Sequence, residues 1–381
     1  MSAICIATLR APLYNSLIRK SADNRLPEGN DIRKKDTHIN PIFIIGTERS
    51  GTNLLRLILN SHSCIAVPHP PHIMKFFNPL VGSYGDLGND RNFRQLITDV
   101  CRMVELHPYP WEIKPDRERV FLHAQNRNLI SIYFAIYDQY LEFTGKERWA
   151  CKSTFMIEHV AEILHYYPDA RFIYMVRDGR DVAVSAKSSI FNRFHVYYSA
   201  LRWKREQQVG LSWLSGLPAK QIMLLKYEEL IADPVTVTAR ICGFLDEQFE
   251  ERMLEYYRSR EAKKSGSLSI SWENTAKPVL SNNAEKFRQR LTKKEILLFE
   301  AIAVNELNEL GYPLTHPLQK LQEMHDVMMQ PKFNYRLSES LMCLRAEATH
   351  LLKDSNSVMR LKKLLFMKYI HMVRRFSVKH A

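Results

Sequence analysis

The sequence predicts an α/β fold, a parallel β-sheet flanked by helices and continued by a helical C-terminal extension. Three observations predict it. Short apolar, β-branched runs alternate with helical segments at the spacing of strand–helix–strand units. The first such run feeds a glycine-bounded loop and then a helix, an arrangement that can receive an anion. From Pro313 onward the chain reads as helix, with apolar residues recurring at helical period.

The stretch Pro41 to His62 reads PIFIIGTERSGTNLLRLILNSH. Ile42-Phe43-Ile44-Ile45 has the composition of a buried parallel strand. Gly46 to Thr52 is a tight loop with a glycine at its start and another, Gly51, near its end. Asn53 to Leu59 carries the leucines of a helix packed on a sheet. Backbone N–H groups of such a loop approach a phosphate closely, and the helix N-terminus adds partial positive charge. The loop is P-loop-like, but a nucleoside-triphosphate P-loop has a lysine after its second glycine. Thr52 stands there instead, and the positive charge comes earlier, on Arg49. With the hydroxyls of Ser50 and Thr52, this set suits a phosphate bound without a metal, and no metal site is expected.

The chain has 381 residues, a formal net charge of +13 and a pI near 9.4. This balance favours an anionic partner. No zinc-finger spacing or RNA-binding aromatic signature is present, so nucleic acid is not the expected partner. The six cysteines are scattered without a C-x-x-C pair, as in buried free thiols of a reducing compartment. The N-terminus lacks a secretory pattern and no stretch reaches the length of a spanning helix. A soluble, cytoplasmic protein is the expectation.

Three regions follow. Residues 1–40 are a polar N-terminal arm, 41–312 an α/β domain, and 313–381 a basic helical extension. After the loop, Ile65 to Val67 is a second candidate strand, followed by a proline turn that carries His69 and His72. Phe93 to Leu106 and Ile130 to Phe143 read as helices, and the tyrosines of the second are read as core. Arg148 to Cys151 is a strand that ends at Lys152. Phe155 to Tyr167 is a helix closed by Pro168. Arg171 to Val176 is a strand that runs into Arg177-Asp178-Gly179-Arg180-Asp181 and a helix holding Ser185. Gln221 to Leu225 is a strand that ends at Lys226-Tyr227-Glu228, and Asp233-Pro234 opens a helix. Thr292 to Leu310 is a single helix closed by Gly311. Ligands of parallel sheets bind at the carboxyl ends of strands, where the Gly46–Thr52 loop, Lys152, Arg177 and Lys226–Tyr227 converge. In the extension, Leu361, Leu364, Leu365, Tyr369, Met372, Val373 and Phe376 share one helical face and lysines and arginines occupy the rest. Packing on the domain or on a second subunit, as in a homodimer, is preferred to an anionic membrane surface.

Several of these segments together resemble the sulfotransferases that use 3′-phosphoadenosine 5′-phosphosulfate (PAPS). Thr47 to Thr52 resembles their 5′-phosphosulfate loop. RDGRDVAVS, Arg177 to Ser185, resembles their 3′-phosphate element. Lys152 resembles the lysine after the intervening strand, and Tyr227-Glu228 a later tyrosine–glutamate pair. RSGTNLLR, the lysine segment and MVRDGR are most similar to the tyrosylprotein sulfotransferase-like group and its bacterial relatives. The similarity runs from about Pro41 to Tyr312. It implies a sulfotransferase fold and transfer of a sulfuryl group from PAPS to an acceptor hydroxyl or amine, on a small molecule, glycan, lipid or peptide. It also implies that Arg49, Ser50, Gly51, Thr52 and Asn53 hold the 5′-phosphosulfate, Arg177 and Ser185 the 3′-phosphate, and Tyr227 the adenine. For Arg177 an ion pair with Asp181 is the plainer alternative, and for Tyr227 a place in the core. Lys286 and Arg288 match a late donor-closing loop. Lys152 and Arg49 are implied to offset charge on the leaving phosphate.

The sequence departs from that pattern at the general base. The glutamate of related enzymes falls on Pro70, and the histidine of the cytosolic branch falls on Thr154. His69 and His72 are the nearest candidates, His69 being preferred. If neither serves, an amine acceptor, another carboxylate or an inactive protein is implied. Two other classes stay open: a P-loop nucleotide-binding protein or kinase, and a non-catalytic relative that binds polyanions or a membrane surface.

Overall fold

The structure is a computed structural model that describes residues 40–187, 189 and 194–377. Except for Asn40, the expected N-terminal arm lies outside the described residues. Five parallel strands, β1 (Ile42–Gly46), β2 (Ile65–Ala66), β3 (Arg148–Cys151), β4 (Arg171–Val176) and β5 (Ile222–Lys226), form one sheet in the order β2-β3-β1-β4-β5. All five lie where the apolar runs predict them. The first strand is central, with β3 on one side and β4 on the other, so the chain order reverses across it. Both faces are covered, which is why β1 is apolar throughout rather than alternating.

Alternation sorts its residues between two cores. Phe43 and Ile45 join a large core around Trp149, while Ile42 and Ile44 join a second around the Thr52–Asn60 and Pro234–Leu245 helices. The tyrosine run is core, as expected: Tyr133 and Tyr137 are buried and lie 6.2 and 5.0 Å from the Trp149 ring. Asp233 caps its helix by accepting from the Thr236 N–H, with Pro234 in the first turn.

Two predicted helices are corrected. Phe155 to Tyr167 divides into a 3₁₀ turn, Thr154–His159, and a short helix, Val160–Tyr166. Thr292 to Leu310 breaks at Ala303 into Lys293–Ile302 and Val304–Glu309, because Ala303 leaves helical geometry at φ −113° and ψ 26°. The long Val196–Gly216 helix was not foreseen. Its buried positions include Ser199, Gln207 and Gly210, which blur the apolar period. Gln207 is nonetheless a strut: it accepts from the Tyr174 hydroxyl at 2.6 Å and donates to Thr47 Oγ1 at 2.7 Å, tying β4 to the loop after β1.

The extension forms the helices Leu318–Met328, Phe333–Lys353 and Ser357–Ser377. The last packs on the body, as preferred, but by another face than the one the sequence suggests. Met367 and Ile370 enter the main core, and Arg374 meets Asp99 at 3.0 Å. Leu361, Leu365, Tyr369 and Met372 remain about half exposed.

Arg180 and Glu300 form a fully buried pair at 2.6 Å that fastens the Lys293–Ile302 helix to the turn after β4. Glu300 also accepts from the Thr315 backbone N–H and hydroxyl and meets His316. Burial works against its charge, but the hydrogen bonds from His316 and Thr315 and the charge of Arg180 outweigh it and lower its pKa. Removing one partner strands the other. Glu300→Ala is therefore expected to cost about 3–5 kcal/mol in urea unfolding, and a loss below about 1 kcal/mol would show that the pair contributes little.

Candidate active site

Register brings the motifs together. Gly46 pairs with Met175 and Val176 with Lys226, so the loop after β1, Arg177 and Tyr227 leave the sheet side by side. Lys152 follows β3 on the opposite flank of β1. Their side chains line one cavity of about 1180 Å³, large enough for a nucleotide and a second substrate.

The loop needs its glycines. Gly46 has φ +134°, and a Cβ there would lie 2.1 Å from the Met175 carbonyl oxygen. Gly51 has φ +87°, and a Cβ would strike the Tyr227 ring at 2.3 Å. Gly51 is also the N-cap of the Thr52–Asn60 helix, which has no side-chain cap and no acidic residue in its first turn. Its positive end is therefore open to an anion. Arg49 itself adopts φ 74°, a left-handed conformation costly for a side-chain-bearing residue.

Two motifs distant in sequence interlock here. Arg49 Nε donates to Ser185 Oγ at 3.0 Å, and Arg177 Nη1 donates to the Arg49 carbonyl at 3.2 Å. Arg177 Nη2 donates to the Asn283 carbonyl at 2.8 Å, and its guanidinium lies 4.4 Å from the Tyr227 ring centroid. The ion pair of Arg177 with Asp181 also exists, at 3.6 Å, but it is buried rather than superficial. Burial and the neighbouring charge of Arg177 push Arg49 down to about 10. Arg177 Nε, Ser50 Oγ and Asn53 Nδ2 are buried without a hydrogen-bond partner. Such atoms are rare unless something else satisfies them.

Tyr227 combines both readings left open by the sequence. It is 4 % exposed and packs in the second core, yet it lines the cavity and accepts from Asn283 Nδ2. Glu228 is a strut that accepts from the Asp178 N–H and the Tyr312 hydroxyl. Lys226 lies beside Tyr312 and does not line the cavity. Of the late-loop pair, Lys286 lines the cavity, whereas Arg288 is on the surface with Glu285 at 3.1 Å. Arg290, two positions on in the Phe287–Arg290 segment, lines the cavity where Arg288 does not.

Lys152 is lowered to about 8, chiefly by burial and then by Arg56 and Arg49. His69 and His72 both line the cavity, and burial together with nearby cations lowers each well below the usual imidazole value. They differ in their bonding. His72 meets Ser153 Oγ at 2.9 Å, while both ring nitrogens of His69 are buried without a hydrogen-bond partner. His69 is held by its rings: Tyr109 stacks on it at 4.9 Å and Trp272 lies at 4.8 Å. Trp111 Nε1 donates to its carbonyl at 2.7 Å. His107, Trp272, Arg360 and Lys363 also line the cavity, and sequence reasoning did not place them there. The signal for the last two was the cationic side of the C-terminal amphipathic helix.

The profile of the sulfotransferase family matches residues 41–251, more than half of the 381 residues. An uncharacterized protein of Aquifex aeolicus (strain VF5) is 26% identical over 258 residues, covering 65% of this chain and 30% of that protein. A protein-tyrosine sulfotransferase of Drosophila melanogaster is 22% identical over 251 residues, covering 62% of this chain and 45% of the relative. The chain thus spans less than half the length of these two curated relatives. The solved sulfotransferase domain from the curacin biosynthetic pathway superposes with a TM-score of 0.50 at 18% identity, covering 72% of this chain and 99% of that domain. That likeness is one of fold. The family match opens one residue before β1 and runs past β5, so it takes in the whole sheet and every strand end that lines the cavity, and over that span the chain belongs to the sulfotransferase family.

Proposed function

We propose that the protein transfers a sulfuryl group from PAPS to an acceptor hydroxyl by in-line displacement. The observation that carries this reading is the junction of buried Arg177 with partly buried Arg49 beside an uncapped helix N-terminus. Two neighbouring arginines, one of them buried, with buried donors left unpaired beside them, call for an anion with several oxygens. The donor set is cationic and hydroxylic, which suits phosphate and sulfate groups held without metal ligands. A P-loop kinase reading lacks its lysine at Thr52.

Sulfuryl transfer forms a bond from the acceptor oxygen to sulfur, breaks the sulfur bond to the 5′-phosphate oxygen, and frees the acceptor's proton. Arg49 and the backbone of Ser50 to Asn53 hold the 5′ end, and Arg177 with Ser185 the 3′-phosphate. Tyr227, supported by Asn283, flanks the base, and Lys286 closes over the donor. Lys152 and Arg49 offset the charge that develops on the departing phosphate oxygen. His69 takes the proton. Burial and nearby positive charge keep its imidazole neutral, and neither of its buried nitrogens has a hydrogen-bond partner, whereas a ring nitrogen of His72 is engaged by Ser153. The name of the Drosophila relative makes a protein tyrosine one acceptor to test, beside small alcohols and glycans.

Calorimetry with 3′-phosphoadenosine 5′-phosphate (PAP) in EDTA tests the donor site. Wild type is expected to bind, and Arg177→Ala to lose about 100-fold, the loss of two charge-assisted bonds. ATP binding that requires Mg²⁺, with no PAP binding, would overturn the reading. Affinity for PAP is expected to fall as pH rises through about 8, where Lys152 loses its proton. Lys152→Met should flatten that dependence, and an unchanged slope would remove Lys152 from the donor site. With an acceptor that supports turnover, His69→Gln is expected to lower kcat by about 10²–10⁴-fold and leave the Kd for PAP unchanged. A rate near wild type would return the proton-accepting role to His72.

A further inference from the structure

Part of the cavity lining comes from residues beyond the 41–251 family match. The Ser357–Ser377 helix contributes Arg360, Lys363, Leu364 and Met367. It is fixed to the site at two points. Lys363 Nζ donates to the Pro71 carbonyl at 3.2 Å, inside the turn that carries His69 and His72. Asp354, in the turn before the helix, accepts from Ser269 Oγ at 2.9 Å and from the Ile270 N–H at 3.1 Å. That second contact holds the segment whose Trp272 packs on His69. The C-terminal helix therefore faces the candidate base, not only the body of the fold.

The chemistry of this wall is specific. Lys363 is 8 % exposed, its ammonium 4.6 Å from the Phe76 ring centroid. Burial, then the charge of Lys75, lowers it to about 7. Arg360 meets Glu347 at 3.5 Å through Nη2, but its Nη1 is buried without a hydrogen-bond partner, as is Ser271 Oγ on the facing segment. Over the whole cavity, six lysines and four arginines stand against Glu48, Asp181 and Glu273. Apolar side chains, Phe76, Leu364 and Met367, line the same cavity, Phe76 directly against Lys363. A neutral sugar or alcohol can accept a hydrogen bond from the unpaired guanidinium nitrogen or the desolvated ammonium, but it brings no charge to balance them. An anion satisfies both and balances their charge, and the apolar residues that share the cavity favour a hydrocarbon portion next to it.

We propose that this helix forms the acceptor subsite and selects an acceptor that carries an anionic group joined to an apolar portion, with Arg360 and Lys363 holding the anion. The inference rests on the sulfotransferase reading for the word acceptor, and on the cavity wall for its chemistry.

The probes are n-octyl phosphate, n-octyl glucoside and inorganic phosphate, titrated calorimetrically in EDTA into protein saturated with PAP. Octyl phosphate is expected to bind at least about tenfold more tightly than either of the other two, the worth of one charge-assisted contact. Arg360→Gln, which removes a partly exposed side chain and spares the core, is expected to weaken octyl phosphate about tenfold and to leave PAP and octyl glucoside unaffected. Arg360→Gln combined with Lys363→Met should abolish the preference for the phosphate. Equal binding of octyl phosphate and octyl glucoside would overturn the anionic subsite. Inorganic phosphate binding as tightly as octyl phosphate would overturn the apolar one. Equal octyl phosphate affinity in wild type and Arg360→Gln would overturn the assignment to the C-terminal helix. Failure of the donor reading looks different: wild type then does not bind PAP, and the same three titrations run without it still decide the anion subsite.

Discussion

The site depends on keeping several cations together out of water. Arg177 is buried and Arg49 partly so, the two joined through a backbone carbonyl, and burial, followed by the charges of Arg56 and Arg49, lowers Lys152. Like charges at low dielectric repel strongly and lose hydration as well. The fold holds them with backbone acceptors and a few carboxylates: the Asn283 carbonyl and Asp181 for Arg177, and Glu261 for Arg56. This is incomplete compensation, as the unpaired Arg177 Nε records. A scaffold that tolerates such a deficit is pre-organised for an anion, since the cost of assembling the cations falls on folding rather than on binding.

That arrangement is a consequence of sheet order. With β1 between β3 and β4, the strand ends that follow them deliver Lys152 and Arg177 to either side of the glycine loop. The next strand, β5, sets Tyr227 against Arg177 and beneath Gly51, whose missing Cβ makes room for the ring. Four segments spread over nearly two hundred residues thus become neighbours through four short strands. No contact between side chains is needed to specify this beyond the pairing register, which the apolar content of β1 and β4 fixes by leaving both faces buried.

This explains what was legible in the sequence. Strands fully buried on both faces read as short apolar runs, and the polar residues that end them stand out against them, so the sheet, the loop, Lys152, Arg177 and Tyr227 were accessible to inspection. The break at Ala303 was not, because a residue with good helix propensity gives no sign of a local turn that packing imposes. Arg288 and Arg290 could not be told apart because both lie in one short polar turn whose orientation is set by Asp181, which accepts from the Phe287 N–H at 2.8 Å. The C-terminal helix misled in a particular way. Its leucines marked a face that stays about half exposed, while the face that packs joins Met367 and Ile370 to Lys363 and Arg374. Long cationic side chains can bury their stems and still present their heads, so counting apolar residues underestimates the face that contains them.

The same cations couple the site to the stability of the fold. Lys152 is lowered from its ordinary 10.5 to about 8. Between those values the unfolded chain holds a proton that the folded chain has released, so stability rises with pH across that window and the full penalty is present below about 8. Lys363, lowered to about 7, adds the same sign over a window that opens lower. At neutral pH the empty site therefore works against the fold, and an anion that offsets these charges works for it. Binding free energy gained by ligand at this site is, in part, relief of repulsion stored in the protein, and appears as added stability in proportion to ligand concentration over Kd. The helix that carries Lys363 reaches the body through both the main core and the Pro71 carbonyl. The Ser357–Ser377 helix and the proline turn bearing His69 are thus tied through Lys363 and, from a second side, through Asp354 and the Trp272 segment, so a change at either contact alters the surroundings of His69.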